Sequence, residues 1–186
     1  MEDIIIAKKS IVNKSTVCYT DGSSKNNGSK NSTGGIGVFF GIKDPRNISL
    51  ETRKSVEILI PDYNFTDFKV TNNISELTAI IAALTVLKKN LTLKETVIIK
   101  TDSMYSINCL TKWWPAWSTN NWKKSDSKAV LNKHLLEMIV ENFIKKFPGQ
   151  IHFFHVRAHK ECPGTSSPLY KDWLGNFQAD KLASEF

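Results

Sequence analysis

Between Ile74 and Leu87 the apolar residues Ile74, Leu77, Ile80, Ile81, Leu84 and Leu87 recur at the three-and-four spacing of an amphipathic helix. Shortly after it, Thr96-Val-Ile-Ile-Lys-Thr101 is a β-branched run typical of a buried strand, and Thr16-Val-Cys-Tyr-Thr20 upstream reads the same way. A helix carrying the chain between strands makes a βαβ crossover, which commits the chain to an α/β architecture. Thr71, Asn72 and Asn73 are capping-type residues ahead of the helix, so Glu76 is expected in its first turn.

The remaining elements arrange themselves around this unit. The first strand is expected to be cut off by Asp21-Gly22-Ser23, and Gly34 to Gly41 to form a second strand in a hairpin with it, across Asn- and Gly-rich turn residues. A third strand is expected within Ile48 to Ile60, ended by Pro61. Ser103 to Lys112 reads as a short helix. A longer helix presents Leu131, Leu135, Met138, Ile139 and Phe143 and stops at Pro148-Gly149. Ile151 to Val156 reads as a fifth strand, residues 160–175 as a loop, and Asn176 to Phe186 as a terminal helix. Residues 1–15 are expected to be a short arm or edge strand, with residues 16–186 as one domain.

With 41% of its 186 residues hydrophobic, the chain can bury a substantial core. Its 25 Lys and Arg against 18 Asp and Glu leave a charge of +7, which favours an anionic partner. Cys18, Cys109 and Cys162 form neither a disulfide framework nor a paired metal motif, and this points to a reducing compartment. The first residues carry acids where a secretory leader carries positive charge, and no apolar stretch approaches a membrane span. An intracellular, non-secreted protein without glycans or a membrane partner is expected.

Ligands of such a sheet collect beyond the carboxyl ends of its strands. Asp21 and Asp102 are expected at two such ends, Glu76 can project toward the same edge, and Asp180 can close the group if the terminal helix packs nearby. Each acid alone has a structural reading: Asp-Gly-Ser is a common turn, Thr-Asp-Ser a common helix start, and Glu76 can complement a helix dipole. Together they form a cluster whose mutual repulsion a divalent cation would remove. Hard oxygen ligands suit magnesium, and two such ions can activate water and stabilise the leaving oxygen of a phosphodiester. An acidic site in a basic protein points to nucleic acid. His152, His155, His159 and Cys162 have zinc-like spacing, but an extended strand sends residues 152 and 155 to opposite faces.

Several local words, in this order, resemble the catalytic domain of eukaryotic type 1 ribonuclease H. They are Tyr19-Thr-Asp-Gly-Ser-Ser24, Asn27-Gly28, Gly34-Gly-Ile-Gly-Val38, Thr71-Asn-Asn-Ile-Ser-Glu76, Thr101-Asp-Ser-Met-Tyr105, Trp113 to Trp122, and Gly175-Asn-Phe-Gln-Ala-Asp-Lys-Leu-Ala183. The resemblance runs from about Val17 to Ala183. It implies a ribonuclease H-like fold, a five-stranded mixed sheet flanked by helices, and hydrolysis of the RNA strand of an RNA/DNA hybrid to 5′-phosphate and 3′-hydroxyl ends. It also implies two magnesium ions, with manganese as a substitute.

Carried over by position, it makes Asp21, Glu76, Asp102 and Asp180 the metal-holding catalytic acids. Asn27, Asn72 and Asn73, with the backbone near Ser24 and Asn26, become RNA-strand contacts, although turn and cap duty would also account for these Asn residues. Trp113, Trp117 and Ser125 fall where the family has a DNA-strand channel, and Lys69, Thr71 and Asn132 where it has a phosphate pocket. Core packing is the reading for Trp122, and Trp114 stays open. His159 aligns with the family's mobile-loop histidine, yet Ala158 and Lys160 flank it where glycines are usual. It also stands 21 positions before Asp180, so residues 160–175 are expected to be an insertion. The rival readings are a catalytically silent hybrid-binding module, the ribonuclease H part of a retroelement or viral polyprotein, and a resolvase- or integrase-like relative. A monomer acting on hybrid is expected.

Overall fold

The computed structural model describes residues 14–157 and 161–186. Five strands form one mixed sheet: β1 (Ser15–Lys25), β2 (Thr33–Phe39), β3 (Ile48–Glu51), β4 (Thr96–Thr101) and β5 (Ile151–His155), in the order β3-β2-β1-β4-β5. β1 runs antiparallel to β2 and β2 to β3, whereas β1–β4 and β4–β5 are parallel. The helices are α1 (Thr52–Leu59), α2 (Asn72–Val86), α3 (Lys88–Thr92), α4 (Met104–Asn108), α5 (Trp114–Thr119), α6 (Lys133–Ile139) and α7 (Tyr170–Ser184). Residues 1–13 of the expected arm lie outside the described residues; of the rest, the Lys14 carbonyl accepts the Thr96 amide at 3.0 Å and Ser15 opens β1.

The expected crossover is present as β1, α2 and β4, with Thr71 as the cap: its hydroxyl accepts the Ile74 amide at 3.2 Å. Asn72 is therefore the first helical residue rather than the cap, and Glu76 falls just beyond the first turn. The helix is not amphipathic in use, since every residue from Ile74 to Leu84 is buried. The sheet covers one side of α2, while α1 and α6 cover others. Its polar residues are satisfied locally: Ser75 Oγ meets Thr52 Oγ1 at 2.8 Å and the Thr78 hydroxyl donates to the Ile74 carbonyl at 2.7 Å.

Other expectations are corrected. Asp21-Gly22-Ser23 does not end the first strand; β1 continues to Lys25, because β2 offers pairing partners from Gly22↔Ile36 to Lys25↔Thr33. The third strand stops at Glu51, and α1 follows, because Thr52, Ser55 and Val56 bury themselves at helical rather than alternating spacing. Leu131 is 71% exposed and precedes α6 instead of joining its buried face. The helix after Ser103 passes through a π turn, Cys109–Trp113, before α5, and a second π turn, Val140–Ile144, prolongs α6. The terminal helix begins at Tyr170, so the expected loop over residues 160–175 is helical in its last part.

The core lies between the sheet and α2, where Cys18, Ile36, Val38, Leu77, Ile80, Ile81, Leu84, Val97 and Ile99 are buried. α7 packs on the opposite face of the sheet by a different device. A Cβ on Gly37 would stand 2.0 Å from the Ala179 carbonyl oxygen, and one on Gly35 2.3 Å from that of Ala183. Glycines on β2 thus admit α7 at backbone distance while Ile36 and Val38 point to the other face.

Candidate active site

The register Thr20↔Thr101 ends the parallel pairing of β1 with β4 one residue before Asp21 and one before Asp102. The two acids therefore emerge side by side where β4 stops. Glu76 arrives from α2, which can approach because residue 22 has no side chain: a Cβ there would lie 2.2 Å from the Glu76 amide nitrogen. Carboxylate oxygens of Asp21, Glu76 and Asp102 lie within 4.8 Å of one another. Asp180 on α7 meets the group from the other face of the sheet, close enough to share a hydrogen bond with the Asp21 carboxyl.

The electrostatics of this cluster are unfavourable for four bare carboxylates. Burial, then the charges of Asp102 and Asp180, push the Asp21 carboxyl up to about 8. Glu76 is raised well above its ordinary value by burial first and by Asp21 and Asp102 next, with the Gly22 amide opposing the shift. Glu76 Oε2 is buried and has no hydrogen-bond partner among the described residues. A buried acceptor left unpaired costs free energy, and so does a close set of like charges. One ligand type relieves both: a hard divalent cation, which takes carboxylate oxygens in a compact group of this kind. The donor set fits such an ion.

The residues expected to meet nucleic acid fall into three groups. On the β1–β2 turn, Asn27 Oδ1 accepts the Asn72 amide at 2.9 Å and the Ser24 hydroxyl at 3.2 Å, so Ser24, Asn27 and Asn72 form one exposed patch. Asn26 is in the left-handed region, and Asn73 lies exposed beside Asn72. In the Trp-rich segment, the rings of Trp113 and Trp117 are 5.6 Å apart, with Trp113 42% exposed. Trp117 packs in turn on buried Trp122, and the open case of Trp114 resolves as packing against the core with Lys145 Nζ 5.9 Å from its ring. Ser125 is exposed just beyond. Lys69 is exposed and Thr71 caps α2, while Asn132 adopts a left-handed backbone and donates to the Tyr105 hydroxyl at 3.0 Å. Tyr63 and His134 join the segments bearing Lys69 and Asn132, with ring centroids 5.8 Å apart.

His159 lies outside the described residues. His152 and His155 sit on β5, whose alternation directs them to opposite faces. Three side chains that the sequence reading did not single out also meet one another, Tyr19 and Lys100 standing two residues before Asp21 and Asp102 and both bonding Asp172. A lysine within the otherwise β-branched run of β4 was the available signal.

A mixed sheet in this order, with carboxylates gathered where its central parallel strands end, defines the class of ribonuclease H-like α/β proteins. The family model described as RNase H matches residues 13–186. Ribonuclease H of Schizosaccharomyces pombe is 40% identical over 98% of this chain and 59% of its own length, and ribonuclease H of Clostridium botulinum is 31% identical over 92% and 95%. This chain belongs to the ribonuclease H family. It spans little more than half of the Schizosaccharomyces relative and of rat ribonuclease H1, of which it covers 51%. In fold it is similar to the foamy viral protease-reverse transcriptase in complex with RNA/DNA hybrid, with a TM-score of 0.62 and 20% identity over 100% of this chain and 22% of that one. It is likewise similar to LC9-RNase H1, a type 1 RNase H, with a TM-score of 0.59 and 22% identity over 94% of this chain and 72% of that one. Among the described residues no helix is long and apolar enough to cross a membrane.

Proposed function

We propose that this chain is an endoribonuclease that hydrolyses the RNA strand of RNA/DNA hybrids. The observation that carries the reading is the group of buried Asp21 and Glu76 with half-buried Asp102, in which Glu76 Oε2 is unpaired among the described residues and Asp180 stands against Asp21. These four carboxylates would hold two magnesium ions, or manganese in their place, and the metals would supply water activation and charge stabilisation at the phosphate. Water adds to phosphorus as the bond to the 3′-oxygen breaks, which leaves 5′-phosphate and 3′-hydroxyl ends.

The chain's own residues orient the substrate. Ser24, Asn26, Asn27, Asn72 and Asn73 present polar groups to the RNA strand beside the acids, where 2′-hydroxyls distinguish RNA from DNA. Trp113, Trp117 and Ser125 would receive the DNA strand, and Lys69, Thr71 and Asn132 one of its phosphates. His159 would assist proton movement or product departure. A net charge of +7 adds salt-sensitive affinity that is independent of sequence. The chain is taken to act as an intracellular monomer.

The test is cleavage of an end-labelled hybrid with magnesium and with EDTA, beside RNA/RNA, DNA/DNA and single-stranded RNA. Magnesium-dependent cutting of the hybrid's RNA alone supports the reading. Tight hybrid binding with no cutting under varied salt and pH would make the chain a silent binding module.

A further inference from the structure

Asp172, in the first turn of α7, accepts two hydrogen bonds on one oxygen, from the Tyr19 hydroxyl at 2.8 Å and from the Lys100 ammonium at 2.5 Å. Tyr19 and Lys100 are themselves register partners across β1 and β4, and Lys100 Nζ lies 5.8 Å from the Tyr19 ring centroid. One carboxylate therefore ties together the three elements that deliver Asp21, Asp102 and Asp180. Tyr19 stands two residues before Asp21, Lys100 two before Asp102, and Asp172 eight before Asp180.

We propose that Asp172 is a positioning residue, which with Tyr19 and Lys100 clamps α7 to the sheet and so sets where the Asp180 carboxylate stands relative to Asp21. The inference rests on the metal-dependent reading above and adds a role for the segment before Gly175, whose last part forms helix and brings Asp172 to the sheet.

The clamp matters because α7 packs on the sheet mainly through small residues. Its buried residues are Gly175, Asn176, Ala179 and Ala183, and the larger Leu182 is only partly buried against the cluster of Tyr19, Phe39 and Val156, so few large side chains resist rotation or sliding. The far side of Asp180 is tied by two hydroxyls: Ser23 donates to the Ala183 carbonyl at 2.5 Å and Ser49 to the Leu182 carbonyl at 2.7 Å. A helix is a stiff rod, and the eight residues from Asp172 to Asp180 span roughly 12 Å. Asp180 thus sits between two anchorages, and Asp172 is the one on its amino-terminal side. Gly175 seats this end directly on the Tyr19 ring, which a Cβ would approach to 2.3 Å. On the outer side of α7, Tyr170, Trp173 and Phe177 stack with centroids 5.9 and 5.2 Å apart, stiffening the same turns. Hydrogen bonds to an ionised group are the stronger kind, and both of these end on Asp172.

The test uses Asp172→Ala, Asp172→Asn and Lys100→Met in the full chain. Magnesium chloride is titrated calorimetrically into each protein without nucleic acid, and the magnesium needed for half-maximal hybrid cleavage is measured separately. For Asp172→Ala, magnesium affinity is expected to weaken about three- to tenfold, short of the ~10–100-fold typical when a ligand's direct orienting partner is lost. The magnesium midpoint for cleavage should rise by the same factor, KM for hybrid should stay unchanged, and excess magnesium should restore kcat. Lys100→Met and Asp172→Asn should show smaller shifts of the same kind, and they decide the matter if Asp172→Ala does not fold. A lower melting temperature with an unmoved magnesium midpoint would reduce the clamp to a stabilising contact and overturn the proposal. Wild-type protein that takes up no magnesium would overturn the metal reading and this inference together. Normal wild-type uptake with unaltered variants would overturn the clamp alone.

Discussion

Two helices bring acids to this site from opposite faces of the sheet, and they are held there by different forces. α2, which carries Glu76, is buried along its length from Ile74 to Leu84 and owes its place to apolar packing against β1 and β2 on one side and α1 and α6 on others. α7, which carries Asp180, fully buries only small residues, with Leu182 partly buried beside them, and owes its place largely to glycine-mediated backbone contact and to polar ties at either end. Burial fixes Glu76 but makes its charge costly, whereas the shallower packing leaves Asp180 partly open to solvent. A site assembled this way has one rigid wall and one that depends on directional contacts.

The largest expected effects come from removing charge on each wall. Glu76→Gln and Asp102→Asn should reduce hybrid cleavage to the level seen with EDTA while hybrid binding persists, and Asp180→Asn, at the acid that lies partly open to solvent, should lose less. Near-normal turnover by Asp102→Asn would sink the proposed site. Next, packing changes should separate the walls. Leu84→Ala, at a fully buried position of α2, should cost about 2–5 kcal/mol in denaturant unfolding. Gly37→Ala forces a Cβ onto the Ala179 carbonyl and should cost about 1–3 kcal/mol, with faster amide exchange in α7 than in α2. Equal acceleration in both helices would contradict the contrast drawn here.

A pH series sharpens the electrostatic half of the comparison. The Asp21 carboxyl is pushed up from 3.8 to about 8, by burial first and neighbouring acids next. The folded state therefore holds that proton more tightly than the unfolded chain, and this stabilisation is complete below about pH 4 and lost as pH rises through about 8. Metal-free protein should melt at progressively lower temperature as pH rises between about 5 and 9, and magnesium should flatten the decline. A metal-free melting temperature that rises over that range would contradict the burial argument. The smallest effect belongs to the cap of α2: Thr71→Ala removes the bond to the Ile74 amide and should cost about 1 kcal/mol, with little change in cleavage rate at saturating hybrid.

Much of this was readable along the chain, and the failures are instructive. The β-branched run from Thr96 to Thr101 and the apolar spacing from Ile74 to Leu87 announce their elements because burial demands period two or near four wherever a face meets the core. The same logic misled at Thr52 to Leu59, where a short, weakly apolar segment satisfied strand and helix patterns alike until contact with α2 selected helix. Asp21-Gly22 reads locally as a turn, but β2 supplies ladder partners that carry the strand through it. Gly22 is there for the approach of α2, which no neighbour in sequence reveals.

The sequence by itself determined the crossover, a helix cap among Thr71 to Asn73 and the residue types a divalent cation requires, since these depend on neighbours a few positions apart. Only the tertiary structure decided that Asp21, Glu76 and Asp102 converge within 4.8 Å, that Asp180 joins at Asp21, and that Tyr19, Lys100 and Asp172 lock together. Asp172 is 153 positions from Tyr19 and 72 from Lys100. Contacts of that separation are set by sheet register and by how closely glycines let helices approach. Local pattern carries no record of either, because both emerge from the energy of the whole packed fold.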